Sequence, residues 1–157
     1  MLFRSGNFYL LNKNFEEAIL LFQEGVKTSL EINDPRGEAN SLLGLGKTYT
    51  LLGQYSRSID LLYQSLRRTR EIGDHNSEAG SLVCLGDVYY LLGEFSKAIQ
   101  FLEQSLKITR DMNDPLGEVN SLLSLAQVFR SLGQSQQESE SLEQAVAAIK
   151  DFKPGLR

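Results

Sequence analysis

The rarest reactive side chains in this sequence are one histidine, His75, and one cysteine, Cys84. A zinc site draws on several thiolate and imidazole ligands, and His75 has no second histidine and no cysteine pair to join it. A nucleophilic triad needs a base beside its nucleophile, and the only imidazole lies in the polar stretch Asp74-His75-Asn76. The lone cysteine has no partner for an internal disulfide. Neither G-x-x-x-x-G-K-[ST] nor G-x-G-x-x-G occurs, so no glycine loop is set up to cradle phosphate. The sequence therefore predicts no enzyme, no metal and no cofactor. What is left is non-covalent binding, and that depends on the elements that present the side chains.

Those elements follow from a 40-residue repeat. Residues 34–73 and 74–113 agree at 19 of 40 positions, and 74–113 and 114–153 at 12, far above chance. Gly6, Gly46, Gly86 and Ala126 share one position; Tyr9, Tyr49, Tyr89 and Phe129 share another. Within a unit the apolar period is helical: Leu42, Leu45, Tyr49 and Leu52, then Tyr55, Ile59, Leu62 and Leu66. Asp34-Pro35 and Asp114-Pro115 read as helix N-caps followed by first-turn prolines. Glu38, Glu78 and Glu118 share a repeat position, and Glu38 and Glu118 place negative charge in first turns, where the helix dipole favours it. Gly53, Gly93 and Gly133 read as left-handed helix ends. Gly46 and Gly86 fall inside helices, where glycine costs about 1 kcal/mol against alanine, so a neighbouring helix is expected to approach there. The spacing predicts helices near 1–12, 15–32, 35–52, 55–72, 75–92, 95–112, 115–132 and 135–151.

Composition agrees with a folded, soluble chain. Of 157 residues, 41% are hydrophobic and 23% charged, with a net charge of −4, so a strongly basic nucleic-acid binder is not expected. No apolar run is long enough to span a bilayer, and the start lacks the apolar block of a signal peptide. A single cysteine and no leader point to the cytoplasm. Arg67-Arg68-Thr69-Arg70 reads as a solvated last turn of a helix more readily than as a nucleic-acid patch.

Leu42-x2-Leu45-Gly46-x2-Tyr49, Leu82-x2-Leu85-Gly86-x2-Tyr89 and Ala18-x3-Phe22 resemble the tetratricopeptide repeat, with leucine where that family has tryptophan. The 40-residue period is similar to the long repeats of Pins-like, kinesin-light-chain-like and bacterial regulatory arrays. The resemblance implies an all-α, right-handed α-solenoid of four helix-turn-helix repeats, about eight antiparallel helices. One array covers 1–151 in units 1–33, 34–73, 74–113 and 114–151, with 152–157 as a tail. The first unit starts late, since Met1 aligns with Ser41, so an uncapped front edge open to self-association is expected. In the last helix Ser135, Ser139 and Ser141 replace Tyr55, Ile59 and Leu61, which reads as a polar end cap.

The resemblance further implies a concave face lined by the first helix of each unit, and a protein or peptide partner held there without enzymatic activity. Asn7, Asn40, Lys47, Asp87, Tyr90, Asn120, Gln127 and Arg130 are its candidate contacts, with Leu43, Gly80, Val83 and Leu123 between them. Each has a second reading. Asn40 and Asn120 fit solvated helix faces, Tyr90 fits packing against the next unit, and Lys47, Asp87 and Arg130 fit inter-helix pairs. Cys84 shares its place with Gly44 and Ser124, which suits a small filler. The family's carboxylate clamp has a lysine where this chain has Phe3, Leu43, Val83 and Leu123. Of the asparagines that Pins-like repeats carry beside Leu-Gly, only Asn7 is matched. The alternative to a binding scaffold is an oligomerisation or spacer segment, or the regulatory part of a larger signalling protein.

Overall fold

The computed structural model describes residues 14–151. All regular structure among them is helical: α1 (Phe15–Glu31), α2 (Pro35–Leu51), α3 (Tyr55–Ile72), α4 (His75–Leu91), α5 (Phe95–Asp111), α6 (Pro115–Ser131) and α7 (Ser135–Asp151). The helix expected over 1–12, and Asn7 with it, lies outside the described residues.

The period of 40 comes from the way each helix ends. At the end of α2 the amide of Gln54 donates to Tyr49 O at 2.9 Å and that of Gly53 to Thr50 O at 3.0 Å. This pair of bonds closes a helix around one left-handed residue, here Gly53 at φ 71°. Gln54 is also the N-cap of α3. Three residues thus end one 17-residue helix and start the next, giving a 20-residue half-unit. The turns between units close the same way, with Asn33 (φ 55°), Gly73 and Asn113 (φ 53°) in the left-handed position. Asparagine tolerates that region better than other side-chain-bearing residues. Asp34 caps α2 by accepting from Gly37 N at 3.0 Å, and Asp74 caps α4 by accepting from Ser77 N at 3.2 Å. Asp114 corrects the expectation: its side chain makes no cap hydrogen bond to α6 and instead borders the groove described below.

Successive helices pack as antiparallel neighbours. First helices also approach backbone to backbone across units, α2 with α4 and α4 with α6, whereas second helices meet only through long side chains: Arg70 donates to Gln104 Oε1 at 3.4 Å, Arg110 to Gln144 Oε1 at 2.7 Å, and Tyr63 sits edge-on to Phe101 with centroids 6.0 Å apart. The stack therefore closes on its first-helix side and splays on the other. The core runs along the stack, through Leu62, Leu82, Leu85, Leu102 and Leu122, each at most 2% exposed. The close approach read from Gly46 and Gly86 is present. A Cβ at Gly86 would lie 2.6 Å from Leu102 Cγ and 3.3 Å from Ala98 O; one at Gly46 would lie 2.6 Å from Leu62 Cδ2.

Serines buried between helices supply the polar fastening. Ser65 Oγ donates to Ala39 O at 2.8 Å and lies 3.0 Å from Ser81 Oγ; Ser105 Oγ donates to Ala79 O at 3.1 Å and accepts from Ser121 Oγ at 3.0 Å. All four are fully buried, and each bond joins two helices.

The polar end cap holds for only part of α7. Ser135, Gln136, Ser139 and Glu140 are exposed, but Ser141 is buried. Further along, Val146 and Ile149 are 51% and 55% exposed. The difference follows from register: 141 faces inward, while 146 and 149 fall on the face that α3 and α5 bury against the next unit.

Candidate functional site

The inner side carries a groove of about 740 Å³ between the first helices α2, α4 and α6. Lys47 stands on its α2 wall, Gly80, Val83 and Asp87 come from α4, and Asn120 and Leu123 from α6. Gly80 opens this wall, with only Leu43 Cδ2 near where its Cβ would be, at 3.6 Å. A smaller hollow of about 270 Å³ adjoins it, lined by Lys47, Thr50, Leu51, Cys84 and Asp87.

Consecutive first helices face each other at a spacing of 37 residues. Ser77 Oγ donates to Asn40 Oδ1 at 3.1 Å, and Ser124 Oγ donates to Asp87 at 3.0 Å. These rungs fix the groove wall. They also give Asn40 an intramolecular partner, so it stands beside the groove rather than in it.

Asp87 is the half-buried charge of the site. Burial pushes its carboxyl above the usual range, against the Ser124 hydrogen bond and the nearby Lys47 charge, which both favour the anion. A carboxyl raised in the fold binds protons more readily folded than unfolded, so its contribution to stability falls as pH rises through the carboxylate range. Asp87→Asn keeps an acceptor for Ser124 and removes the charge. At pH 7 this variant is expected to melt above the parent, and the gap should close as pH drops below about 4. A parent that melts higher at pH 7 would show that attraction to Lys47 outweighs burial.

The other candidates are used within the fold. Tyr90 packs at a tilt on Phe95, centroids 5.8 Å apart, and its hydroxyl lies 3.1 Å from Ser131 Oγ on α6. Hydrogen bonds from Ser131 and Gln127 lower its pKa. Tyr90 and Gln127 therefore tie α4 to α6, and neither lines the groove. Arg130 pairs through Nε with Glu138 Oε1 at 2.6 Å, across the α6–α7 turn. The groove thus unites Lys47, Asp87 and Asn120 and leaves Asn40, Tyr90, Gln127 and Arg130 outside. It also takes Met112 and Asp114 from the α5–α6 turn and Leu116 from the first turn of α6, none of which was a candidate contact from sequence.

The remaining reactive groups are structural. Burial, aided by the Asp87 charge, pushes the Cys84 thiol up to about 11, well away from a reactive thiolate. His75 Nδ1 lies 3.3 Å from Glu78 Oε2, and no cluster of metal-ligating residues exists among the described residues. Arg68 is not a solvated end-of-helix charge: it reaches Glu38 on α2 at 2.6 Å and Glu71 at 2.9 Å, and Arg70 meets Glu78 at 2.7 Å. The first-turn carboxylates of Glu38 and Glu78, with Glu71 from the same last turn, take up these charges. No helix among the described residues is long and apolar enough to cross a membrane.

Solved structures share this architecture. BtubC (BKLC) from P. vanneervenii superposes with a TM-score of 0.80 at 18% identity, covering 97% of this chain and 64% of that one. A Rap protein complexed with Competence and Sporulation Factor gives 0.89 at 15% identity, covering 95% of this chain and 42% of that one. TPR-like repeats of a Podosopora anserina protein described as a kinesin light chain give 0.76 at 24% identity, covering 98% and 76%. The chain thus spans less than two thirds of the first two. Curated protein sequences give no significant match. The tetratricopeptide repeat model matches residues 1–71, 38–111 and 77–151, nearly the whole sequence. With its turns, inner glycines and stacked pairs, the chain belongs to the tetratricopeptide repeat family.

Proposed function

We propose that this chain is a non-enzymatic protein-interaction scaffold that holds a partner peptide or helix in the groove between its first helices. On this reading it is one right-handed array over 1–151, four helix pairs in all, working in the cytoplasm. The observation that carries it is the groove itself, where Lys47, Asp87 and Asn120 alternate with Gly80, Val83 and Leu123. Mixed charge and apolar spots on one open wall suit an extended or helical peptide, which offers both kinds of group along its length. Nucleic acid would call for a basic wall, and here the net charge is −4. The Rap structure, complexed with a second molecule, lends the reading support from a shared fold.

Asn120 and Leu123 are both exposed, so their replacement should leave the fold intact. The test is affinity capture with mass spectrometry, comparing the parent with Asn120→Arg/Leu123→Asp. Partners held in the groove should fall by about tenfold or more, the loss expected when a central contact of an interface is removed. Melting temperature should stay within about 2 °C, as for surface substitutions. An unchanged partner set would end the groove reading. The alternative, a segment of a larger assembly, draws on a different observation, the exposed apolar strip of α7.

A further inference from the structure

The two interfaces between first helices, α2–α4 and α4–α6, share one plan but are filled differently. In the first, the Asp74 carboxylate accepts from Ser77 N at 3.2 Å and pairs with Arg36 Nε at 3.0 Å. The Ser77 hydroxyl lies 3.1 Å from Asp74 Oδ2 and 3.1 Å from Asn40 Oδ1. These partners leave Asp74 only 8% exposed. Forty residues on, the carboxylate is kept as Asp114, but Arg36 becomes Asn76, Asn40 becomes Gly80 and Ser77 becomes Gly117. Among the described residues the Asp114 side chain has no hydrogen-bond donor and no ion pair. The helices do not compensate by separating, since α4 and α6 approach each other as α2 and α4 do. Asn76, Gly80, Asp114 and Gly117 all line the groove. This end of the groove therefore lies where an arginine, an asparagine and a serine stand one unit earlier.

We propose that this end of the groove receives an arginine side chain of the bound peptide, its guanidinium on Asp114. The proposal rests on the peptide-groove reading above and names a residue that the peptide carries. The molecule itself supplies the template, because Arg36 on Asp74 shows which group fits this carboxylate in this register. A guanidinium suits the place better than an ammonium, since its planar fork can donate two bonds to one carboxylate. Asn120 and Asn76 line the same groove and offer carbonyl oxygens to the remaining N–H groups. Val83 and Leu123, also in the lining, suit apolar neighbours of the arginine. Lys47 is the cation of the lining, but it stands toward the other end of the first helices and makes no ion pair with Asp114.

The probe is the blocked peptide acetyl-Leu-Gly-Arg-Gly-Leu-amide, titrated into the isotope-labelled full chain and followed by NMR. Saturable binding with Kd below about 1 mM is expected, with the amide shifts centred on Gly80 and Gly117. Citrulline in place of the arginine keeps the shape and removes the charge, and should weaken binding by about tenfold or more. Asp114→Asn should weaken it as much. Asparagine is as good an N-cap as aspartate, so that variant should melt within about 2 °C of the parent. Asn76→Arg supplies from the chain the cation that Arg36 supplies one unit earlier, and should fold and exclude the peptide. No saturation by about 1 mM, or binding indifferent to citrulline and to Asp114→Asn, would overturn the proposal. The two readings fail separately. Captured partners that depend on Asn120 and Leu123 but not on Asp114 would keep the groove and end the arginine subsite, whereas partners indifferent to all three would end the groove reading.

Discussion

Gly86→Val should be among the most damaging single substitutions in the array, lowering stability by about 3 kcal/mol, the upper part of the range for overpacked cores. The cause is geometric. At Gly86 the backbone of α4 lies so close to α5 that even a Cβ would come within 2.6 Å of Leu102 Cγ and 3.3 Å of Ala98 O. Leu102 is fully buried, so its side chain cannot swing out into solvent. The carbonyl belongs to helix backbone and yields only if α5 moves. Helix propensity works the other way, but valine gains only a few tenths of a kcal/mol over glycine. A loss of this size should lower the melting temperature by roughly 6–12 °C in a domain of this length. Ala126→Gly is the control. Its counterpart contact, Leu142, is only half-buried, and alanine already occupies the site. There the substitution should cost about 1–2 kcal/mol, the helix-propensity difference plus the loss of one buried methyl. Thermal melting monitored by circular dichroism measures both. A Gly86→Val protein as stable as the parent would show that α4 and α5 separate freely.

The contrast between Gly86 and Ala126 shows what could be read from sequence. Each helix among the described residues begins where expected and ends within one residue of it, because the first-turn prolines and the left-handed turn glycines are local signals, even where, as at Asp114, the cap bond itself is not made. Recurrence of a costly glycine inside a helix was enough to predict a close contact, though not the partner, Leu102. Features that join residues far apart in sequence were less legible. Nothing local marks Ser65 and Ser81 for burial, although their recurrence at 105 and 121 was a usable sign. Arg70 was read as an exposed charge and Glu78 only as a repeat position, and the inter-unit turn brings them together. Helical spacing set Lys47, Asp87 and Asn120 on one stripe of the first helices, and all three line the groove. Spacing could not show that Tyr90 would turn toward Ser131, because that depends on how the next unit is set against α4. The same ignorance of neighbours made α7 look like a cap: its polar substitutions are visible one by one, and the face they leave apolar is visible only against α3 and α5.

Phe22 and Gly44 should behave as one unit, and their double variant should be more stable than one of its parents. Phe22 is fully buried on α1, and its ring lies where a Cβ on Gly44 of α2 would be. Position 44 recurs as Cys84 and Ser124, and position 22 as Leu62 and Leu102. The large ring thus stands with glycine, and the shorter leucines stand with side chains. Phe22→Ala should cost about 3–5 kcal/mol, the range for removing a buried aromatic ring. Gly44→Ser should cost about 1–3 kcal/mol by driving the serine Cβ into the ring. Phe22→Leu/Gly44→Ser, which reproduces the pairing of later units, should recover part of that loss. Sites that share one volume are not additive, and the coupling expected here is about 1 kcal/mol or more. Denaturant unfolding of the parent, Phe22→Leu, Gly44→Ser and the Phe22→Leu/Gly44→Ser double variant measures it, with Phe22→Ala as the reference for complete loss of the ring. Additive losses would mean that Gly44 answers to something other than the ring. Recovery would show that a volume exchange between neighbouring helices lets one unit differ from the next without changing how they stack.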